Sequence, residues 1–174
     1  MGRIRYVVAM SLDGYIAGPN GEADWIIMDP EINFQALFAE FDTILVGRKT
    51  FEKMPKGSKS KKSPMPTFVF SQTLRPEDYP NVTIVSELSE PTLSAIRAQA
   101  KKDIWLFGGG GLFRSLLEAG QVDSVETAII PVLLGGGIPL LPTPAKQTKL
   151  TLTGHKVYQT GIVSLVYQTG NKAK

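Results

Sequence analysis

Asp103-Ile104-Trp105-Leu106-Phe107-Gly108-Gly109-Gly110-Gly111-Leu112-Phe113-Arg114-Ser115-Leu116-Leu117-Glu118-Ala119-Gly120 is the stretch whose reading decides the fold. Ile104 to Phe107 form a short continuous apolar run, the pattern of a central strand covered on both faces. Leu112, Phe113, Leu116 and Leu117 then share one side of a helix, and Gly120 supplies its stop. The glycines between lack a Cβ, so backbone N–H groups can approach a ligand where a helix N-terminus favours negative charge. Two readings stand: a cradle for phosphate or pyrophosphate, or a tight strand-to-helix turn packed on itself. No Gly-Lys-Ser or Gly-Lys-Thr follows, so this is not a Walker A loop. Gly108 and Gly110 fit the first two positions of G-x-G-x-x-G, but Phe113 occupies the third. Any nucleotide site therefore draws on other parts of the chain.

Composition bounds the possibilities. The 174 residues, with 43% apolar and 20% charged, suit one α/β domain with a real core. We expect it to span residues 1–170, with 171–174 as a short tail. The absence of cysteine excludes disulfides, thiolate metal sites and cysteine nucleophiles. A single histidine, His155, excludes a multi-histidine metal centre, and no metal is expected. No apolar run reaches the length that spans a bilayer, and the N-terminus leads directly into a strand. A cytoplasmic protein without membrane or nucleic-acid partners is the expectation, since a net charge of +3 is mild and diffuse.

Around the glycine stretch the elements alternate. Ile4 to Met10 reads as a first strand. Asp13-Gly14 follows, either as a hairpin turn or as a loop at the strand's C-terminal end. Asp29 as N-cap and Pro30 at N1 predict a helix carrying Phe34, Leu37, Phe38 and Phe41 on one core-facing stripe. Thr43 to Val46 is a second buried strand. Arg48 to Met54 is a short helix closed by Pro55, and residues 56–64 form a basic solvated loop. Thr67 to Phe70 and Val82 to Val85 are further strands, and Pro91 opens a helix with Leu93, Ile96 and Ala100. Beyond the glycines come a strand over 122–131, a Gly/Pro-rich crossover over 132–142, and an antiparallel pair, 150–158 and 162–168. The order predicts an α/β fold: a three-layer α/β/α arrangement with a mostly parallel sheet and an antiparallel C-terminal edge.

Several motifs together resemble one superfamily. Val46-Gly47-Arg48-Lys49-Thr50-Phe51-Glu52 is similar to the Gly-Arg-x-Thr-aromatic-Glu segment of dihydrofolate reductases. Val69-Phe70-Ser71-Gln72 resembles their next nucleotide-contacting strand end, and Leu106-Phe107-Gly108-Gly109-Gly110 their glycine turn. Ser11-Leu12-Asp13-Gly14-Tyr15-Ile16-Ala17 and Pro131-Val132-Leu133-Leu134-Gly135-Gly136-Gly137 resemble more closely the riboflavin-biosynthesis reductase domain and its stand-alone bacterial relatives. The resemblance implies a dihydrofolate-reductase-like fold, NADPH as cofactor, and hydride transfer to a small pteridine- or pyrimidine-type heterocycle, with a homodimer as the assembly. A true dihydrofolate reductase, or a nucleotide-binding dimeric module without catalysis, are the alternatives.

The resemblance also implies roles. Gly47, Arg48, Lys49 and Thr50 would form one wall of the cofactor site, with Arg48 on the 2′-phosphate and Ser71 and Gln72 beside it. Phe107, Gly109, Gly110, Gly111 and Leu112 would form the other wall, and Ala9 and Ile16 would line the nicotinamide pocket. Taken alone, Arg48 and Thr50 also fit an ordinary capped surface helix. Asp29 and Glu31 lie where dihydrofolate reductases carry their catalytic carboxylate, though helix capping explains both acids as well. Asp13 is implied to contact the substrate's sugar hydroxyls and, with Asp29 and Glu31, is a candidate catalytic acid. Ser11, Trp25 and Glu126 complete the expected substrate side; Trp25 reads equally as a core residue, and Glu126 as an outward residue of an alternating strand.

Overall fold

The computed structural model describes residues 2–55 and 63–170. The basic run at 56–62 and the tail at 171–174 lie outside the described residues. The strands are β1 (Ile4–Ser11), β2 (Tyr15–Ala17), β3 (Phe41–Gly47), β4 (Thr67–Phe70), β5 (Thr83–Val85), β6 (Asp103–Gly108), β7 (Ser124–Ile130), β8 (Ile138–Pro139), β9 (Leu150–Val157) and β10 (Val163–Thr169). The helices are α1 (Phe34–Ala39), α2 (Arg48–Lys53), α3 (Glu90–Gln99) and α4 (Gly110–Glu118).

Eight strands form one sheet in the order β5-β4-β3-β6-β1-β7-β10-β9. The pairs from β5 to β7 are parallel, and β10 runs antiparallel to both β7 and β9. The mostly parallel sheet with an antiparallel C-terminal edge is the architecture the sequence predicts.

Alternation along the strands feeds two apolar layers. Ile4, Tyr6, Leu45, Ile104 and Leu106 join Leu93 and Ile96 of α3 and Phe113, Leu116 and Leu117 of α4. On the opposite face Val46 and Val69 pack with Phe51 of α2, and Phe38 of α1 stacks on Trp105 at 5.0 Å. The resulting order is helices, sheet, helices. The crossovers that step toward β5 pass over one face and those that step toward β7 over the other, as a single crossover handedness demands.

Two local expectations give way to tertiary contacts. Asp29 does not cap α1; the helix starts at Phe34, with the Asn33 side chain accepting from Ala36 N. Phe41 is not part of the helical stripe but opens β3, where it lies 5.9 Å from Trp105. None of the residues of α1 is fully buried, so its aromatic side chains form a half-covered shelf rather than a core face. At Asp13-Gly14 the chain does not make a hairpin onto β1. β2 pairs antiparallel with β8, out of the 132–142 crossover.

One charged cluster ties the sheet to α1. The Arg5 guanidinium is buried and grips Glu126 with two 2.7 Å bonds. It also donates to Asp103 at 3.2 Å and to Glu40, and lies 4.7 Å above the Phe41 ring. Burial opposes its charge, but the bonds to Glu126 and Glu40 outweigh burial and hold its pKa above the ordinary value. Tyr6 is the reverse case. It is fully buried, stacked on Phe113 at 4.0 Å, and its hydroxyl has no hydrogen-bond partner among the described residues.

These two environments make opposite predictions. Arg5→Leu removes both guanidinium bonds from the largely buried Glu126, leaving it the Ser124 hydroxyl, and should cost about 3 kcal/mol or more of unfolding free energy. Tyr6→Phe removes an unsatisfied hydroxyl while keeping the stack, so stability should hold or rise by up to about 1 kcal/mol. Denaturant titrations read both, and a loss of stability in Tyr6→Phe would show that the hydroxyl is held after all.

Candidate functional site

β3 and β6 are neighbours in the sheet, yet the helices that follow them leave on opposite faces. α2 packs with the Val46 layer through Phe51, and α4 with the Ile104 layer through Phe113. A crevice opens between such diverging connections at the strands' C-terminal ends, the usual binding position in α/β sheets. Here it is a cleft of about 1260 Å³.

The cleft's walls are the predicted segments. Gly47, Arg48, Lys49 and Thr50 line one side, and Phe107, Gly109, Gly110, Gly111 and Leu112 the other, with Ser71 and Gln72 at one end and Ile16 at another. The approach of the walls explains two of the glycines. A Cβ on Gly109 would lie 2.7 Å from Thr50 Oγ1, and one on Gly110 would lie 2.9 Å from the Pro142 ring and 3.1 Å from Pro139 O. A Cβ on Gly111 would meet nothing within 4 Å, so that position faces open space. The Gly108–Gly109 peptide is cis, and Gly108 has φ +126°. The first-turn N–H groups of α2 and α4 have no carbonyl partner within their own helices, which leaves donors at the cleft from both sides.

Charge follows the same geometry. Arg48, Lys49, Lys53 and Arg114 line the cleft. Arg48 Nη1 donates to Thr73 Oγ1 at 3.3 Å. Ser71 Oγ accepts from the amides of Thr73 at 3.2 Å and Leu74 at 3.0 Å, which folds the end of β4 into a compact loop beside the Arg48 head. Thr73, Lys53, Arg114, Ile138 and Pro142 are cleft residues that the sequence reading did not single out. Thr73 follows Ser71-Gln72 directly and could have been included on that ground. Pro142 carries no local signal, because its place is set by the fold of the distant crossover.

The remaining sequence-predicted residues lie apart from this lining. Ala9 sits half-buried in β1 opposite Ala128 of β7, while its neighbour Val8 lines the cleft. Ser11 is buried; its hydroxyl donates to Asp13 Oδ1 at 2.6 Å and accepts from Tyr15 N at 2.9 Å. Asp13 accepts from Leu134 N at 3.1 Å and Gly135 N at 2.7 Å. Trp25 is half-buried and donates from Nε1 to Glu22 O at 3.1 Å. Glu31 pairs with Lys156 at 3.2 Å, and Glu126 is taken up by Arg5 and by Ser124 Oγ, 2.7 Å away.

Asp29 is buried between two loops. Its Oδ1 accepts from Glu31 N at 2.8 Å, and its Oδ2 from Thr160 Oγ1 at 2.7 Å and Thr160 N at 3.3 Å. The Thr160 hydroxyl first, then the backbone amides and the Lys156 charge, hold its pKa below the usual aspartate value, against a smaller opposing effect of burial.

Comparison with known proteins agrees with the geometry. Residues 3–164 match the family model described as the RibD C-terminal domain, and the chain belongs to that family. Uncharacterized protein YyaP of Bacillus subtilis (strain 168) is 34% identical over 181 residues, covering 95% of this chain and 94% of that protein. A putative riboflavin biosynthesis protein from Shewanella sp. PV-4 superposes with a TM-score of 0.80 at 25% identity, over 96% of this chain and 98% of that one. Dihydrofolate reductase from Enterococcus faecalis, complexed with NADP(H), has a TM-score of 0.68 at 18% identity over 97% of each chain, and so shares the fold.

The Asp29 clasp has a pH signature. A carboxylate whose folded pKa is depressed stabilises above its unfolded pKa and loses that contribution as pH falls through the folded value. Asp29→Asn should therefore melt below the wild type at pH 7, and the gap should close as pH drops below about 4. A gap that persists unchanged to acid pH would mean that the ionised carboxylate is not what holds the loops.

Proposed function

We propose that this RibD C-terminal domain is an NADPH-dependent reductase of a small pteridine- or pyrimidine-type heterocycle, in the manner of the riboflavin-biosynthesis reductases. The observation that carries the reading is the cleft itself: two helix starts from different parts of the chain line it, with four cationic side chains, Arg48, Lys49, Lys53 and Arg114, against one acid, Glu52. Such a surface suits a dinucleotide with a central pyrophosphate and a further phosphate at one end.

The residues present fit that group. The N–H groups at the starts of α2 and α4 would meet the pyrophosphate, and Thr50 Oγ1, close to Gly109, would add a donor. The Arg48 fork, steadied by Thr73, suits a 2′-phosphate beside Ser71 and Gln72. Ile16, on the cleft lining, would supply apolar wall to the nicotinamide end. When bound, NADPH supplies a hydride to a C=N or C=O carbon, and a proton completes the reduction. The protein's part is chiefly to hold the two reactants in register and keep water out.

NADPH fluorescence titration tests the first step, and turnover with a panel of pteridines and pyrimidines the second. Arg48→Ala should weaken NADPH roughly 10- to 100-fold, the scale of a lost charge-assisted hydrogen bond, and NADH far less. An equal loss for both cofactors would remove Arg48 from the 2′-phosphate. Gly111→Leu places a side chain in open cleft: it should leave the melting temperature near that of the wild type and abolish NADPH binding. Undiminished binding in that variant would sink the cradle.

A further inference from the structure

The β2–β8 pair forms a small flap beside the cleft, separate from the main sheet. Ile16 and Ala17 on one strand and Ile138 on the other line the cleft wall. Gly137 packs so tightly under this flap, at φ +148°, that a Cβ there would lie 2.2 Å from Ala17 O. What fixes the flap at its outer end is a set of bonds around one carboxylate. Asp13 Oδ1 accepts from the Ser11 hydroxyl at 2.6 Å and Leu134 N at 3.1 Å, and Oδ2 from Gly135 N at 2.7 Å. Leu12 N donates to Val132 O, and Leu140 N to Gly14 O, each at 2.9 Å. The Ser11 hydroxyl in turn accepts from Tyr15 N, the first residue of β2.

We propose that Asp13 is a positioning residue: its carboxylate latches the loop leading into β2 to the 132–135 turn, and so sets the flap wall against which the cofactor's nicotinamide end rests. The role differs from a direct contact with substrate hydroxyls, and its cofactor arm rests on the NADPH reading above. Three donors from two chain segments already converge on the carboxylate, one of them a side-chain hydroxyl and two backbone amides. A carboxylate accepts at about four lone-pair positions, so most of its capacity is committed within the protein. An asparagine could accept from one of the two backbone amides but would set its own N–H₂ against the other, so Asp13→Asn breaks the latch with almost no change in volume.

Amide hydrogen exchange of the ligand-free protein reads the latch directly. In Asp13→Asn, exchange at Leu134 and Gly135 should quicken about tenfold or more, while amides of β1 and β6 keep their protection and certify the fold. With saturating substrate, NADPH affinity should fall by a similar factor; with saturating NADPH, substrate KM should stay within about twofold. Ser11→Ala, which removes one of the three donors and keeps the charge, should shift both quantities in the same direction by less, and it carries the test if Asp13→Asn does not fold. Unchanged exchange at Leu134 and Gly135, or a rise in substrate KM with NADPH affinity intact, would overturn the proposal. If the wild type itself binds no NADPH, the cofactor reading fails separately, and the exchange result still decides whether Asp13 is the latch.

Discussion

The site depends on how closely two chain segments can approach. β3 and β6 lie side by side, and the turns that leave them must diverge to opposite faces within a residue or two of the sheet's edge. Gly109 makes that close approach sterically possible, and Gly110 does the same for Pro139 and Pro142 of the crossover. The Gly47 Cα lies where an added Cβ would stand 3.4 Å from Leu112 Cβ, and the Gly109 position leaves no room between itself and Thr50 Oγ1. The helix starts are therefore near enough for one ligand to touch both. A single helix N-terminus is a weak attractor for an anion, whereas here two lie at one cleft with cationic side chains beside them.

Much of the fold was legible because it rests on local apolar runs. Ile104 to Phe107, Thr43 to Val46 and Thr67 to Phe70 are too apolar to lie anywhere but in the middle of a sheet, and the structure has them there. The cleft was legible in part for a different reason: glycine next to a helix start is a local signal for close approach. The expectations that failed were those in which a distant partner outcompeted a local one. Asp29 followed by Pro30 is a sound cap signal, and one carboxylate oxygen does accept from Glu31 N, but the other goes to a hydroxyl and an amide of Thr160, 131 residues away, and the turn does not run on into α1. Phe41 fits the helical period, yet Trp105 and Arg5 draw it into the sheet. Periodicity records what a segment can do alone, and it is silent on which residue arrives from elsewhere in the chain.

Polar burial divides along the strands. Near the sheet's N-terminal end Arg5 gathers Glu126, Asp103 and Glu40, and Arg97 gathers Asp123 and the carbonyls of Gly2 and Gln121. The cations there are consumed by acids and carbonyls of the protein, which makes them anchors. Asp103 shows the balance: burial pushes its pKa up, and the bonds from Arg3 and Arg5 bring it below the ordinary value. At the C-terminal end, among the described residues, Arg48 donates to the Thr73 hydroxyl, Arg114 to the Pro144 carbonyl and Lys53 to the Asn20 carbonyl, with the Glu22 carboxylate close enough to Lys53 to feel its charge. Arg48, Lys49, Lys53 and Arg114 line the cleft together with one acid, Glu52, in a chain whose net charge is only +3.

The acids beside the cleft serve a matching purpose. Asp13 and Asp29 each span more than a hundred residues of sequence to fasten one loop to another. Both have pKa values held below the aspartate norm, chiefly by a hydroxyl donor, Ser11 in one case and Thr160 in the other. An acid in that state is ionised near neutral pH and carries no proton to give, since protonation would break the bonds that define its place. Fixing loops is what such a carboxylate does well, because every donor it gathers also removes a degree of freedom from the wall it supports. A site that brings two bound groups to a fixed distance and angle needs that kind of rigidity, because both are set by walls whose loops cannot drift.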